Sequence, residues 1–455
     1  MKKMVLALLG LALSAALGGC RKNIQADLVI LSPHSSKIRQ AYQQAFADYY
    51  RQKHGQAVTI EFRDVGGTTS NTAFLINSDG HSGIDLYFGG GAPDHNLLAG
   101  KGLLQAVELP AELLAALPDK IGDVPQRDEQ NRWFGAAVSR FGIFYNDRLL
   151  EQHNLPRPAD WGDLADPALF GKVELADGSE SGSARAAYEM IIQSGGSWPE
   201  GWSRLLQIFG NCKSFPKSAS DVVADVANGE VMAGAAIDFY AYDTIAKNGN
   251  HLKFVTAKGA TVFTPDPIAL LRGAPHPELA KEFMEFVLSF RGQALLCMPA
   301  GGQYGPSLEG QGTDGQGAGG PAGLYRQPIR PDVYEKLGDK MLAPLVNPFE
   351  YAGSFTVPRE IWETRQGLLL KPLMKAAAVD NRQLLNQAWQ AVIAAGRPQG
   401  LIRQFTALPE NLADQDAAHA TAKLLADPRQ ADQLQRDWTE YFRQTYEGIL
   451  KAAKP

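Results

Sequence analysis

The sequence predicts an α/β protein with two βα domains around a hinged cleft and a C-terminal helical extension. Near the start of the chain, three strand–loop–helix units follow one another, and the same pattern recurs after residue 171. Two long strand-like segments, 133–146 and 261–272, separate these halves and are suited to carry the chain from one domain to the other and back. Two βα domains joined by two crossings favour a pair of lobes that close on a cleft.

The first domain is predicted from short apolar strands that each precede a polar or glycine-rich loop and a helix. The strands are residues 27–31, 58–62 and 84–88, and their loops are 32–36, 64–70 and 89–91. This repeat predicts a parallel sheet with helices on both faces. Because ligands bind at the carboxyl ends of strands in such sheets, we expect these loops to gather at one site.

The second domain repeats the pattern, with a strand at 172–176, a loop at 177–183 and a helix from Ala184. A strand at Val231–Ile237 and a helix from Asp243 complete it. The predicted organisation is lobe 1 at 27–135 and 265–306, lobe 2 at 136–264, a glycine-rich flexible loop at 307–328 and a helical region at 329–455 that packs on lobe 1.

The first twenty residues are typical of a lipoprotein leader. Lys2 and Lys3 precede an apolar run that is short for a membrane span, and the run ends at Leu17-Gly18-Gly19-Cys20. We therefore expect residues 1–19 to be a signal peptide, Cys20 to carry the lipid, and residues 20–26 to form a tether. This places the protein on the extracytoplasmic face of a membrane, in the periplasm where there are two membranes, and Arg21 leaves both inner and outer membranes open.

Composition excludes some functions and leaves others open. The formal charge is −5 and no basic patch occurs, so nucleic acid is not an expected partner. Cys212 and Cys297 remain besides Cys20, and two alternatives stay open for them, a disulfide or two buried free thiols. No motif of a nucleophilic hydrolase, a metalloprotease or a phosphate-binding loop is present, so no catalytic residues are predicted.

Several segments in order resemble one family. They are SPHSSKIRQAYQQAFADYY, IDLYFGGGAPDHNLLAGKGLL, FGIFYN, GKVELADGSESGSA, GEVMAGAAIDFYA and TPDPIALLRGAPHPELAKEFMEFVLSFRGQALL. Over residues 27–306 the chain resembles extracellular solute-binding proteins of ABC importers, in the ferric-iron and phosphonate-type branch with the type II periplasmic binding fold. The resemblance implies a monomeric receptor whose lobes close over a solute, and whose closed form docks on a membrane permease.

Candidate binding residues lie in the loops that this resemblance places at the cleft. They combine hydroxyl groups, glycines and helix starts, a combination that suits an anion, although serine and threonine at such positions also serve as plain helix caps. The predicted ligand-binding residues are Ser32, His34, Ser35, Gly67, Thr68, Thr69, Gly90, Ser181, Gly182, Ser183, Asp238 and Tyr240, with Lys217 and Ser218 as weaker candidates.

The segment Asp238–Tyr242 decides between an organic anion and iron. Ferric-binding relatives carry two adjacent tyrosines in this region, whereas here Phe239 precedes Tyr240 and the second tyrosine is Tyr242. A helical turn would separate these two phenols. Ferric iron is therefore the second candidate, with Asp238, Tyr240 and His34 as its ligands.

The predicted function is that of a lipid-anchored receptor that captures a small anionic solute, a phosphonate or a phosphorylated or carboxylated compound, and delivers it to an ABC permease. No cofactor is predicted, with ferric iron considered only as transported cargo. Two other functions stay open, a sensor that presents the solute to a membrane signalling partner and an extracytoplasmic enzyme.

Overall fold

Two mixed β-sheets form the centres of two lobes in the computed structural model. It describes residues 26–257, 260–307, 322–342, 345–351 and 362–453. The predicted leader, Cys20 and residues 308–321 of the glycine-rich loop lie outside the described residues. Among the described residues, none of the helices combines the length and the apolar composition that a membrane span requires.

The strands are short and the helices are distributed along the whole chain. The strands are β1 Leu28–Leu31, β2 Ile60–Arg63, β3 Leu86–Phe88, β4 Leu104–Gln105, β5 Lys120–Ile121, β6 Val124–Pro125, β7 Phe134–Ser139, β8 Phe141–Asn146, β9 Val173–Glu174, β10 Cys212–Ser214, β11 Ala233–Ile237, β12 Leu252–Val255 and β13 Thr264–Leu271.

The helices before the C-terminal region are α1 Ser36–His54, α2 Gly67–Ser78, α3 Ala92–Gly100, α4 Ala111–Ala115, α5 Asp147–Gln152, α6 Gly182–Gln193, α7 Trp198–Asn211, α8 Ala219–Asn228, α9 Asp238–Asn248, α10 Pro277–Leu288, α11 Phe290–Cys297, α12 Pro331–Leu337 and α13 Pro348–Tyr351. The later ones are α14 Leu370–Met374, α15 Arg382–Ala394, α16 Gln399–Phe405, α17 Gln415–Leu424 and α18 Pro428–Ala452, with π-helical turns at Trp362–Leu369 and Lys375–Val379. Single 3₁₀ turns occur at Trp161–Ala165, Pro167–Leu169, Gly338–Lys340 and Glu410–Leu412.

The two-lobed α/β fold is confirmed, but the sheets are mixed and not parallel. In lobe 1 the strand order is β2-β1-β3-β13-β4, and β7 also pairs with β13. Strands β1, β2 and β3 are parallel, whereas β13 runs antiparallel to β3, β4 and β7. The parallel pairing predicted from the first three strands is confirmed, but the sheet as a whole is mixed because the strand that returns from lobe 2 enters it from the opposite direction.

Lobe 2 has the strand order β10-β9-β11-β8-β12, in which β8 alone runs antiparallel to its two neighbours, β11 and β12. The chain enters it between β7 and β8, which belong to different sheets and are separated by Arg140 alone. It returns between β12 and β13. The two predicted crossing segments therefore contain the strands that connect the lobes.

The core of lobe 1 lies on both faces of its sheet. Leu28 and Ile30 of β1 pack into one apolar cluster, and Val29 and Leu31 pack into another. Because successive side chains of a strand point to opposite faces, both faces of β1 are covered. Its carboxyl end is thereby fixed below the loop that carries the first group of candidate site residues.

The helical C-terminal region packs on both lobes in turn. Ile329 and Val333 contact the apolar clusters of lobe 1, as predicted for this region, and Leu324 of the preceding loop contacts lobe 1 as well. For residues 362–453 the prediction was wrong, because these helices share one apolar core with lobe 2. Trp389 donates from Nε1 to Asn211 Oδ1 over 2.7 Å, which ties α15 to the end of α7.

Two further expectations are settled by the described residues. Cys212 and Cys297 are buried free thiols, the first in the core of lobe 2 and the second in a cluster of lobe 1, so the alternative of a disulfide is excluded in this structure. The end of the predicted flexible loop is buried, since Leu324, Tyr325 and Arg326 have exposed fractions of 4%, 3% and 1%.

Candidate functional site

A cavity of about 540 Å³ lies between the lobes and contains most of the predicted binding residues. Those that line it are His34, Ser35, Gly67, Thr68, Thr69, Gly90, Ser181, Gly182, Ser183 and Tyr240, together with the weaker candidates Lys217 and Ser218. Ser32 and Asp238 do not line it. The loops that follow the strands of both lobes therefore come together at one site, while the part each residue plays in binding stays a prediction.

Helix N-termini from both lobes point their first turns toward this cavity. In lobe 1 they are the starts of α1, α2 and α3, whose N-cap residues are Ser35, Gly66 and Gly91. None of these three N-cap residues caps its helix with a side chain, although Asp64 Oδ1 accepts hydrogen bonds from Gly66 N and Gly67 N at the start of α2. The other N–H groups of these first turns and the positive ends of the helix dipoles favour an anion on this side of the cavity.

In lobe 2, serines occupy the N-cap positions. Ser181 Oγ accepts a hydrogen bond from Ala184 N at the start of α6, and Ser218 Oγ accepts one from Asp221 N at the start of α8. The capping role weighed for such serines is thus present at both helices. Ser183 makes no hydrogen bond to the described part of the chain, so its hydroxyl is free for a solute.

A charged cluster that the sequence reading missed lies on the lobe 1 side of the cavity. Asp266 of β13 accepts a hydrogen bond from Arg326, and it pairs with His34 Nε2 over 3.2 Å. Burial alone would raise the pKa of Asp266, but Arg326 and His34 hold it well below its usual range. The cluster therefore keeps an ionised carboxylate between two side chains that line the cavity.

Arg326 also connects the lobes. Its guanidinium lies over the ring of Phe239 in lobe 2, at 4.0 Å from the ring centre. Arg326 Nη1 and His34 Nδ1 are buried and have no hydrogen-bond partner among the described residues. These nitrogens leave hydrogen-bonding capacity that a bound anion would satisfy. Arg326 was missed because it follows a glycine-rich stretch that predicts a loop.

The two predicted residues outside the cavity support its walls. Ser32 Oγ accepts a hydrogen bond from His34 N over 3.2 Å, which shapes the loop that carries His34. Asp238 is 1% exposed and accepts hydrogen bonds from Gln327 Nε2 and Phe239 N. Burial raises the pKa of Asp238 to about 6, against the opposing effect of the nearby arginines.

Tyr240 and Tyr242 lie on different sides of α9. Tyr240 lines the cavity, whereas the hydroxyl of Tyr242 is hydrogen-bonded to Arg140 inside the protein. Burial raises the pKa of Tyr240, which favours the neutral phenol over the phenolate that a ferric ion requires. In the described part of the chain, no group of three or more His, Cys, Asp or Glu is placed to hold a metal ion. Of the predicted iron ligands, Tyr240 and His34 line the cavity and Asp238 does not, and their role stays a prediction.

Glycines let the backbone and His34 come close to each other. Gly89 has a φ of +102°, and a Cβ there would lie 2.9 Å from ring atoms of His34. Gly90 has a φ of +84°, and its Cβ would lie 2.9 Å from Tyr87 Oη. Both features require glycine. The triple-glycine loop after β3 therefore sets the position of the His34 ring.

Acidic residues also line the cavity, and the sequence reading missed them. Asp123, Glu129 and Glu180 are exposed, so water screens them. Asp128 is paired with Arg132, with 2.7 Å between its Oδ2 and Arg132 Nε. Burial raises the pKa of Asp94, against the opposing effect of Arg185. Asp128 thus lines the cavity with its charge balanced by a direct ion pair.

Comparison with known proteins places the chain among transport proteins. Residues 80–307 match the family model described as bacterial extracellular solute-binding protein. A phosphoglycerate transport regulatory protein, PgtC, from Salmonella typhimurium is 30% identical over 192 residues, which are 42% of this chain and 47% of that protein. This chain thus aligns with about half the length of its curated relatives.

Solved structures show the same fold at low sequence identity. The periplasmic binding protein AfuA from Actinobacillus pleuropneumoniae, with fructose 6-phosphate bound, is 23% identical with a TM-score of 0.51, over 59% of this chain and 81% of that one. Iron-bound HitA from Pseudomonas aeruginosa is 20% identical with a TM-score of 0.52, and the match covers 71% of this chain and 90% of HitA. The periplasmic binding protein P5PA is 20% identical with a TM-score of 0.55, and the match covers 71% of this chain and 90% of P5PA.

Proposed function

Because this chain belongs to the bacterial extracellular solute-binding proteins, we propose that it is the receptor of an ABC importer for a small phosphorylated or carboxylated anion. The solute would bind in the cavity between the lobes and pass to a membrane permease. The observation that carries this proposal is the convergence of three helix N-termini and Arg326 on one cavity.

A phosphorylated solute is the form of this proposal that the cavity supports best. A volume of about 540 Å³ lies within the range of small-molecule sites and exceeds what a bare inorganic ion needs. Phosphoryl oxygens accept several hydrogen bonds at once, which suits the backbone N–H groups of α2 and the buried Nη1 of Arg326. The relatives agree with this class, since one is named for phosphoglycerate transport and another holds fructose 6-phosphate.

Two alternatives have specific support. The word regulatory in the name of the Salmonella relative favours a sensor that presents the bound solute to a membrane signalling partner. The likeness to iron-bound HitA and the presence of Tyr240 and His34 at the cavity favour ferric iron. The separation of Tyr242 from Tyr240 counts against iron. The family consists of binding proteins, and we propose no catalytic role.

The membrane anchor belongs to the proposal as well. Lipid on Cys20 would hold the receptor beside its membrane partner. Mass spectrometry of the N-terminal peptide from membranes should show a diacylglyceryl-modified Cys20, and an unmodified cysteine would refute the anchor. The Cys20→Ser variant should be released into the soluble extracytoplasmic fraction.

Binding experiments on purified protein test the proposed solute. Native mass spectrometry should show bound organic phosphate, and calorimetry should give saturable binding of 3-phosphoglycerate or fructose 6-phosphate. The Ser183→Ala and Tyr240→Phe variants should weaken that binding without lowering thermal stability. Binding of ferric citrate with a visible phenolate-to-iron band, and of no organic anion, would refute the proposal in favour of iron.

A further inference from the structure

In the described part of the C-terminal region, the polar side chain of Gln366 lines the cavity. It lies in the π-helical turn Trp362–Leu369, beyond the part of the chain that matches the family model. Gln366 is 4% exposed and lines the same cavity as Ser181–Ser183 at the start of α6. The wall of the cavity therefore includes a residue that lies C-terminal to the segment matched by the family model.

The neighbouring residue fixes this turn on lobe 2. Arg365 forms a buried ion pair with Glu189 of α6, with 2.9 Å between Arg365 Nε and Glu189 Oε2. Its guanidinium also lies over the ring of Trp198 at 5.0 Å. Both side chains of the ion pair are almost fully buried, at 6% and 0% exposure. Because Arg365 is anchored in this way, Gln366 is held against the cavity wall. Turns of π-helix inside helices occur often at functional sites.

The carboxamide of Gln366 has no hydrogen-bond partner among the described residues. Its Oε1 is buried, and no hydrogen bond joins this side chain to any described residue. Buried polar groups in native proteins are nearly always paired, so an unpaired amide on the wall of a binding cavity points to a group on the ligand. A hydroxyl group both donates and accepts, so it matches the amide whichever way its oxygen and nitrogen are placed.

We propose that Gln366 binds a hydroxyl group of the solute, and hence that the solute is a hydroxylated organic phosphate. This inference rests on the proposed function, since it assumes that a phosphorylated compound occupies the cavity. The helix N-termini and Arg326 would hold the phosphoryl group, and Gln366 would select the hydroxylated member among phosphates of similar size. The C-terminal region thereby acts in solute specificity.

A matched pair of probes tests this assignment, 3-phosphoglycerate and 3-phosphooxypropanoate, which differ in one hydroxyl group. Wild type should bind 3-phosphoglycerate about tenfold more tightly than its deoxy analogue, as one buried hydrogen bond allows. The Gln366→Met variant keeps the length of the side chain and should bind both probes equally, at the wild-type affinity for the deoxy analogue. Gln366→Ala should behave alike. Gln415→Met, which changes an exposed glutamine of α17, is the control and should keep the preference.

Each outcome of this experiment decides the inference. Loss of the preference in Gln366→Met with unchanged binding of the deoxy analogue supports it. Wild-type preference in that variant overturns it and leaves the proposed function intact. If the variant binds both probes more weakly than wild type by the same factor, the inference is overturned too, because a hydroxyl-specific contact cannot produce that pattern. A wild type that binds neither probe overturns the inference together with the phosphate class of the proposed function.

Discussion

Lys37 of lobe 1 and Asp243 of lobe 2 form an ion pair across the cleft, with 2.7 Å between Nζ and Oδ1. The other carboxylate oxygen of Asp243 accepts a hydrogen bond from Lys247 of the same helix over 2.6 Å. The Lys37 and Asp243 side chains are 17% and 28% exposed. Thr69 Oγ1 makes a second contact between the lobes, donating to Glu180 O over 3.5 Å. The lobes are thus in contact in this structure, and separation of the lobes would break both contacts.

Removal of this ion pair should destabilise the closed arrangement relative to the open one. The Lys37→Ala variant should bind 3-phosphoglycerate about two- to fivefold more weakly, because a partly exposed pair contributes about 0.5–1 kcal/mol. Small-angle scattering with ligand should show a larger radius of gyration than for wild type. Lys53→Ala is the control, since Lys53 pairs with Glu282 within lobe 1 and should leave binding unchanged. If Lys37→Ala and wild type bind 3-phosphoglycerate with equal affinity, the ion pair does not stabilise the closed arrangement.

Gly89 should be required for the position of His34. The Gly89→Ala variant adds a Cβ 2.9 Å from the His34 ring at a φ of +102°, so the ring must move away from Asp266. We expect about 1–3 kcal/mol lower unfolding free energy and a clear loss of solute affinity. Gly171→Ala is the matched control, because Gly171 has a φ of +70° and open space around its Cβ position. It should lose about 1 kcal/mol and bind normally. Identical binding by both variants would contradict a positioning role for Gly89.

The sequence allowed much of the cleft to be predicted, because its loops directly follow apolar strands. Gly67–Thr69 and Ser181–Ser183 lie at helix starts after strands, and the ends of strands in such sheets converge. Asp266 could not be found in this way, since it lies inside the returning strand β13 and the pattern of that strand carries no sign of a binding residue. Arg326 follows a glycine-rich segment, where local composition predicts a loop in spite of its burial.

The partner of the C-terminal helices was equally hidden from the sequence. An amphipathic helix shows which of its faces is buried, but it does not show which apolar surface covers that face. The sequence of α7 does hold one indication of this contact. Its apolar residues are numerous enough to cover more than one neighbouring surface, and they include Trp198, Trp202, Leu205 and Phe209. That apolar surface is covered in part by residues 362–453, and the same contact brings Gln366 to the cavity.

Asp238 should make the stability of the protein depend on pH. Its pKa is raised from 3.8 to about 6 by burial, so the folded protein holds this proton more tightly than the unfolded chain does. The resulting stabilisation is complete below about pH 4 and is lost as pH rises through about 6, at most about 3 kcal/mol. Asp238→Asn keeps an acceptor for Gln327 and has no proton to lose. The unfolding free energy of the variant minus that of wild type should therefore be larger at pH 8 than at pH 4. Chemical denaturation at pH 4 and pH 8 measures these free energies. An equal difference between variant and wild type at the two pH values would contradict the role of Asp238.

Lobe 2 and the C-terminal region should unfold as one unit, because they share one core. Trp389 lies against Gly210, where a Cβ would come within 2.5 Å of its ring, and its indole nitrogen donates to Asn211. Trp389→Ala should lower the unfolding free energy by about 3–5 kcal/mol, since it leaves a cavity at the contact and an unpaired Asn211 Oδ1. Trp389→Phe keeps most of the packing and should lose less. Calorimetry should show one transition for this unit in both variants, shifted to lower temperature. A C-terminal region that melts separately in wild type, or that protease removes to leave lobe 2 folded, would show that the two parts are independent.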